Sequence, residues 1–167
     1  PVAATQGTPW PKGMRIRVYA RIGSKFDTAL AVALAQYNAS GAKIRLVRTP
    51  RLRGAHVVIT RHERQREPAR TSQGRPARGP ATMRLKLNHL GSRGPYAAAI
   101  FLTHELGHVL GLAHPRRGLC SVMYDYAFAG RCELGCTPET AVEICGVRRV
   151  CDDGACVEIG VRPRRKW

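Results

Sequence analysis

Apolar and polar positions alternate with period two over residues 14–20, where Met14, Ile16, Val18 and Ala20 interleave with Arg15, Arg17 and Tyr19. This period predicts a strand with one buried face. Ser24 followed three residues later by Asp27 resembles a capping box. Beyond it Phe26, Leu30, Ala33, Leu34 and Tyr37 recur at helical spacing, and residues 38–41 supply the stop. Residues 43–48 and 55–60 read as two more strands, separated by Pro50 and Gly54. Residues 61–80 lose this periodicity. They are rich in Arg, Pro and Gly and read as an exposed basic loop. Alternation returns at 82–88, a fourth strand with Met83, Leu85 and Leu87 on one side. Gly91 and Gly94 break it, and Pro95 is suited to the first turn of a helix. Residues 97–110 are so apolar that this helix is expected to be buried, ending at Gly111. Thr137-Pro138-Glu139 opens a further helix that Cys145 and Gly146 close. Residues 147–151 and 156–161 flank Asp153-Gly154, a hairpin signal.

The pattern describes an α/β chain of 167 residues with apolar content, 44%, sufficient for a core. It contains no apolar run long enough to span a membrane, and its first residues lack the layout of a signal peptide, which is therefore absent or already removed. The charge changes the picture of partners. A formal net charge of +17 implies attraction to anionic surfaces, although an Arg-rich solvated surface explains it equally. Nucleic acid is disfavoured as a partner because the basic loop lacks aromatic residues for base stacking. The six cysteines, Cys120, Cys132, Cys136, Cys145, Cys151 and Cys156, all lie in the last third. An even, clustered set suggests three disulfides, an oxidising compartment and hence secretion. The rival, a structural zinc site, lacks any Cys-x-x-Cys pair. Fifteen disulfide pairings are open.

The chemistry concentrates in His104-Glu105-Leu106-Gly107-His108-Val109-Leu110-Gly111-Leu112-Ala113-His114. Residues four apart on a helix sit about 40° apart around its axis, so His104 and His108 share a face and can hold one zinc ion. Glu105 lies beside them, suited to act as general base toward a metal-bound water. A catalytic zinc site takes three protein ligands and keeps one position open. His114 can be the third ligand only if the helix stops, and Gly111 allows the turn. An apolar helix carrying three incidental histidines would also bury Glu105 to no purpose, at a cost. His56, His62 and His89 are scattered and form no recognisable second zinc site.

This segment resembles the long zinc-binding motif of metzincin metallopeptidases. Ser121-Val122-Met123-Tyr124 resembles the family's Met-turn, and Thr137-Pro138-Glu139 the opening of its last helix. The likeness runs from about Trp10 to Cys145 and is nearest to small secreted forms of the matrix-metallopeptidase and snapalysin types. It implies a twisted mixed sheet with two backing helices, a zinc cleft, and a smaller irregular disulfide-bonded C-terminal subdomain. In this layout residues 1–114 form the N-terminal subdomain and 115–167 the C-terminal one, within one catalytic domain. By the same resemblance, strand 82–88, including Arg84 and Leu85, forms the upper rim of the cleft and receives substrate as an added antiparallel strand. Tyr124, Asp125 and Tyr126 then line the pocket after the scissile bond. Asp125 either favours a basic side chain there or bonds the turn's own backbone.

Some features depart from the family's forms. His114 stands where snapalysin-type enzymes carry Asp, and Asp125 stands where astacin- and serralysin-type enzymes carry a catalytic Tyr. No cysteine-switch segment or acidic calcium loop is visible, although backbone carbonyls remain an alternative for calcium. The expectation is a secreted, monomeric zinc endopeptidase acting on protein or peptide. Two rivals stand beside it: a basic protein for anionic surfaces or nucleic acid with a vestigial zinc site, and a zinc hydrolase of cell-wall peptides.

Overall fold

The computed structural model describes residues 7–88, 97–114 and 123, and the backbone of 94–96, 149–152 and 155–158. The expected α/β architecture is present. Strand β1 (Arg15–Arg21) leads through a 3-10 turn (Ser24–Phe26) into helix α1 (Asp27–Ala39). Then follow β2 (Arg45–Arg48), β3 (Val57–Arg61), β4 (Ala69–Thr71), β5 (Ala81–Leu85) and helix α2 (Gly94–Val109). The sheet order is β2-β1-β3-β5-β4, with β4 antiparallel to β5 and every other pairing parallel. The predicted hairpin is also present as β6 (Arg149–Asp152) and β7 (Ala155–Glu158), with Cys151 opposite Cys156. The helix expected at 137–145 lies outside the described residues.

Alternation decides which face of the sheet is buried. Ile16 and Val18 of β1, Leu46 of β2, Val57 and Ile59 of β3, and Ala81, Met83 and Leu85 of β5 all turn inward. Leu30, Ala33, Leu34 and Tyr37 of α1 and Phe101, Leu102, Leu106 and Val109 of α2 complete the same core. Helix α2 is buried on nearly every side, as its composition requires.

Three expectations are corrected. Ser24 makes no capping hydrogen bond, and α1 begins at Asp27 instead. Gly23, at φ 91, turns the chain into the 3-10 turn, and the Asp27 carboxylate accepts from Arg48 at 2.7 Å. Residues 61–80 are not simply an exposed loop. Their middle is β4, which pairs with β5 (Ala69 opposite Leu85, Thr71 opposite Met83) and is extended by the Ser72 N–H donating to the Thr82 carbonyl at 2.9 Å. Consequently β5 is not an edge strand, and its 83–85 stretch cannot accept an added strand.

The opposite edge is closed by a side chain. Asn38, near the end of α1, donates to the Leu46 carbonyl at 2.9 Å and accepts from the Leu46 N–H at 2.8 Å. Its amide thereby occupies β2 backbone groups that a further strand would use. Asn38→Ala is expected to cost about 1–2 kcal/mol, because two backbone groups lose their partner at once. Urea unfolding of the zinc-loaded protein measures this, and an unchanged midpoint would refute the bridge's contribution.

Candidate active site

The last turn of α2 sets the geometry. Gly111 has φ 92, a left-handed conformation that suits glycine. Its N–H donates to the His108 carbonyl at 2.8 Å, and the Leu112 N–H donates to the Gly107 carbonyl at 2.8 Å. This pair is the Schellman closure of a helix. Two carbonyls of this turn, that of Val109 and, as a second bond, that of His108, also receive distant donors. The Trp10 indole N–H donates to the Val109 carbonyl at 2.7 Å, and the Gly74 N–H, just beyond β4, donates to the His108 carbonyl at 2.9 Å.

With the helix ended, His114 folds back toward its start. His104 Nε2 lies 3.2 Å from His108 Nε2 and 3.1 Å from His114 Nε2. Ligand nitrogens around a tetrahedral zinc, with Zn–N of about 2.0–2.1 Å, stand roughly 3.3 Å apart. These two distances match that spacing, and the ligand atoms of all three histidines lie within 4.8 Å of one another, close enough to converge on one ion. His108 Nδ1 lies 3.0 Å from the Leu112 carbonyl oxygen. A carbonyl can only accept, so this nitrogen carries the proton and Nε2 keeps its lone pair for a metal. His104 and His108 are buried and His114 is exposed, so the cluster opens to solvent on one side. Among the described residues this is the one group of three such side chains able to hold a metal. His56 is occupied elsewhere: its Nδ1 accepts from the Arg17 N–H at 3.0 Å.

Glu105 is 7% exposed. Burial pushes its carboxyl up to about 7, and the Thr71 hydroxyl, donating to Oε2, pulls in the opposite direction. A cation at the histidines would also favour the charged form. Thr71 was not legible as a site residue. It lies 34 positions from Glu105, in a segment with no apolar alternation, and only the pairing of β4 with β5 brings it over α2.

Met123 packs beneath the helix, 1% exposed. A Cβ built on Gly107 would lie 2.1 Å from Met123 Sδ and 2.6 Å from Tyr37 Oη. Gly107 is therefore the gap between the two helical histidines into which Met123 and Tyr37 fit. Tyr37 Oη donates to the Thr103 carbonyl at 2.8 Å, fixing α1 against α2 at this level. The glycine inside the motif was the available signal for this contact. Arg84 lies on the exposed face of the sheet. Leu85 is corrected: its side chain is fully buried with Met83 in the core, so it cannot touch substrate. Tyr124, Asp125 and Tyr126 lie outside the described residues.

A sequence profile of the family described as dual-action HEIGH metallo-peptidase matches residues 11–146. The chain belongs to that family. The letters of the name correspond to His104-Glu105-Leu106-Gly107-His108, with Leu106 in place of isoleucine. A solved structure of myroilysin is similar at a TM-score of 0.53 and 20% identity, over 87% of this chain and 73% of that one. At that identity the likeness speaks for the fold. A crystal structure of myroilysin gives 0.48 at 22% identity, over 64% of this chain and 47% of that one, so this chain spans about half its length. No curated protein matches. This chain is thus a member of a metallo-peptidase family, with three histidines placed to hold a metal and a fold like that of myroilysin. No helix among the described residues is long and apolar enough to cross a membrane.

Gly107→Ala is expected to cost about 1–3 kcal/mol through overpacking against Met123 and Tyr37. It should also weaken zinc binding, because His104 and His108 flank the displaced turn. Thermal unfolding with chelator and a zinc titration measure the two effects. A variant matching wild type in both would exclude the close contact.

Proposed function

We propose that the chain is a secreted zinc endopeptidase in which Glu105 is the general base. The observation that carries this reading is the convergence of three histidine Nε2 atoms next to a buried carboxyl held by a hydroxyl from the sheet edge. His104, His108 and His114 would hold the metal. Zinc so bound supplies Lewis acidity toward the scissile carbonyl and makes water a stronger acid.

The protein's own groups do the rest. Glu105 takes the proton from the attacking water and later delivers it to the leaving nitrogen. Thr71 occupies Oε2, which leaves Oε1 for that exchange. The substrate joins the sheet at β4. Ser72 N–H and the Pro68 carbonyl point toward β5, so by alternation the backbone groups of Ala69 and Thr71 point off the edge. Among the described residues no strand pairs with that side of β4. An extended polypeptide bound there would pass the site in mid-chain, which supports endopeptidase action. Met123 serves as a packing floor, and Tyr124, Asp125 and Tyr126 as the pocket that follows the scissile bond. Secretion is supported by the six clustered cysteines, read as three disulfides.

Purified protein is expected to cleave a generic unfolded protein. Glu105→Gln should retain zinc and lose activity by about 10²-fold or more, whereas His114→Ala should lose the metal as well. Zinc content measured beside turnover separates the two roles. A fully active Glu105→Gln enzyme, or a zinc-replete His114→Ala, would reverse the assignment. Thr71→Val should lower kcat by about tenfold with KM nearly unchanged, since only a hydroxyl–carboxylate bond is lost. Thr71→Ser should restore kcat, and an equal loss in both variants would argue against positioning by the hydroxyl.

A further inference from the structure

The net charge is not spread evenly. Residues 1–114 hold 19 of the 28 Lys and Arg but only four of the 11 acids, Asp27, Glu63, Glu67 and Glu105. Those four are all engaged. Asp27 pairs with Arg48, Glu63 pairs with Arg61, and Glu105 is in the site. Glu67 lies 3.8 Å from Arg70, both more than half exposed, an arrangement worth little.

Strand alternation gathers much of the remaining charge. Arg15, Arg17, Arg21, Arg45, Arg70 and Arg84 all lie on the sheet face away from the helices, and all are exposed. No strand position on this face carries an acid. Register lines them up: Arg15 is opposite Arg45, and Arg21, Thr60, Arg84 and Arg70 stand abreast across four strands. Like charges directly opposite one another destabilise a sheet. Two such arginine pairs, Arg15 with Arg45 and Arg84 with Arg70, therefore sit in a repulsion that a bound anion would relieve. Near Arg70 and Arg84 the face dips into a shallow depression that Ser72 and Thr82 also line, adding hydroxyls to guanidinium groups.

The arginine row ends on β4, the strand whose next residue, Thr71, touches Glu105. We propose that this face recruits acidic polypeptides and that they are the preferred substrate class of the enzyme. The proposal rests on the peptidase reading. A polypeptide is favoured over other polyanions because only it can use both the arginines and the outward backbone groups of β4. A residue of the added strand that shares the outward face would stand about 5 Å from Arg70, one strand spacing away. Single-stranded nucleic acid would want several stacking rings, and among the strand positions of this face the half-buried Tyr19 alone offers one. A lipid surface would want apolar anchors, and Leu52 is the one exposed large hydrophobic side chain among the described residues.

The test uses two unfolded peptides with one shared scissile segment, flanked by Glu in one and by Gln in the other. Zinc-loaded wild type should cleave the Glu-flanked peptide with a kcat/KM about tenfold higher at about 0.05 M salt, and the advantage should shrink at about 0.3 M. In Arg70→Gln/Arg84→Gln the ratio should fall toward one, without loss of thermal stability. A wild-type ratio near one, or an unchanged ratio in the variant, overturns the proposal. Binding of the same labelled peptides to zinc-loaded Glu105→Gln, followed by fluorescence anisotropy, gives a readout independent of turnover. Equal binding of both peptides there also overturns it. Preferential binding with no cleavage by wild type would support the surface and sink the peptidase reading. Duplex DNA that displaces the Glu-flanked peptide at equal charge concentration would overturn the proposal in favour of nucleic acid.

Discussion

An α-helix advances about 1.5 Å per residue, so a helix running on past Val109 would carry His114 about 9 Å beyond His108. The metal cluster exists because α2 does not run on. Gly111 takes a conformation that most residues avoid, and Leu112 and Gly111 donate back to the helix. The Val109 carbonyl receives Trp10 from one side, and the His108 carbonyl takes a second donor, Gly74, from the other. The stop is thus built from segments on both sides of the helix in sequence. Once it is in place, three imidazoles meet with their lone pairs converging and one of them already oriented by a backbone carbonyl.

The level of the helix just before that stop is tuned by the absence of a side chain. Gly107 lets Met123 approach the backbone between the two helical ligands, and Tyr37 fills the same gap from α1. Because Tyr37 also holds the Thr103 carbonyl, the first helix, the active helix and the methionine form one packed unit. The Glu105 carboxyl is held from another direction, by the sheet edge through Thr71. Two of the histidines and Glu105 therefore come from one helix and the third histidine from the chain just past its end, but the supports that fix them come from α1, from β4 and from the chain before β1.

The difference between what was legible in sequence and what was not follows from this division. The three histidines, Glu105 and the helix stop fall within eleven consecutive residues, related by helical periodicity and by one glycine break. The inward faces of β1, β3 and β5 were legible for the same reason, since alternation is local. The edge strand was not, because Ala69-Arg70-Thr71 has neither apolar alternation nor length, and its pairing with β5 is the only thing that makes it a strand. Leu85 was placed at the cleft because the family resemblance assigned strand 82–88 to its rim, and nothing in the strand's own alternation shows which neighbour covers its edge. Ser24 looked like a cap because spacing cannot show that Gly23 has already set a tighter turn.

The bond from the Gly74 N–H to the His108 carbonyl joins the substrate edge to the metal ligand turn. A ligand that binds only the folded site lends its binding free energy to everything folded with that site. Zinc at the histidines therefore also steadies the chain from Thr71 to Gly74, although it touches none of it. Removing the metal would withdraw that share of stability from residues 71–74 as well, so the sheet edge and the histidine cluster are linked in stability although they are far apart in sequence.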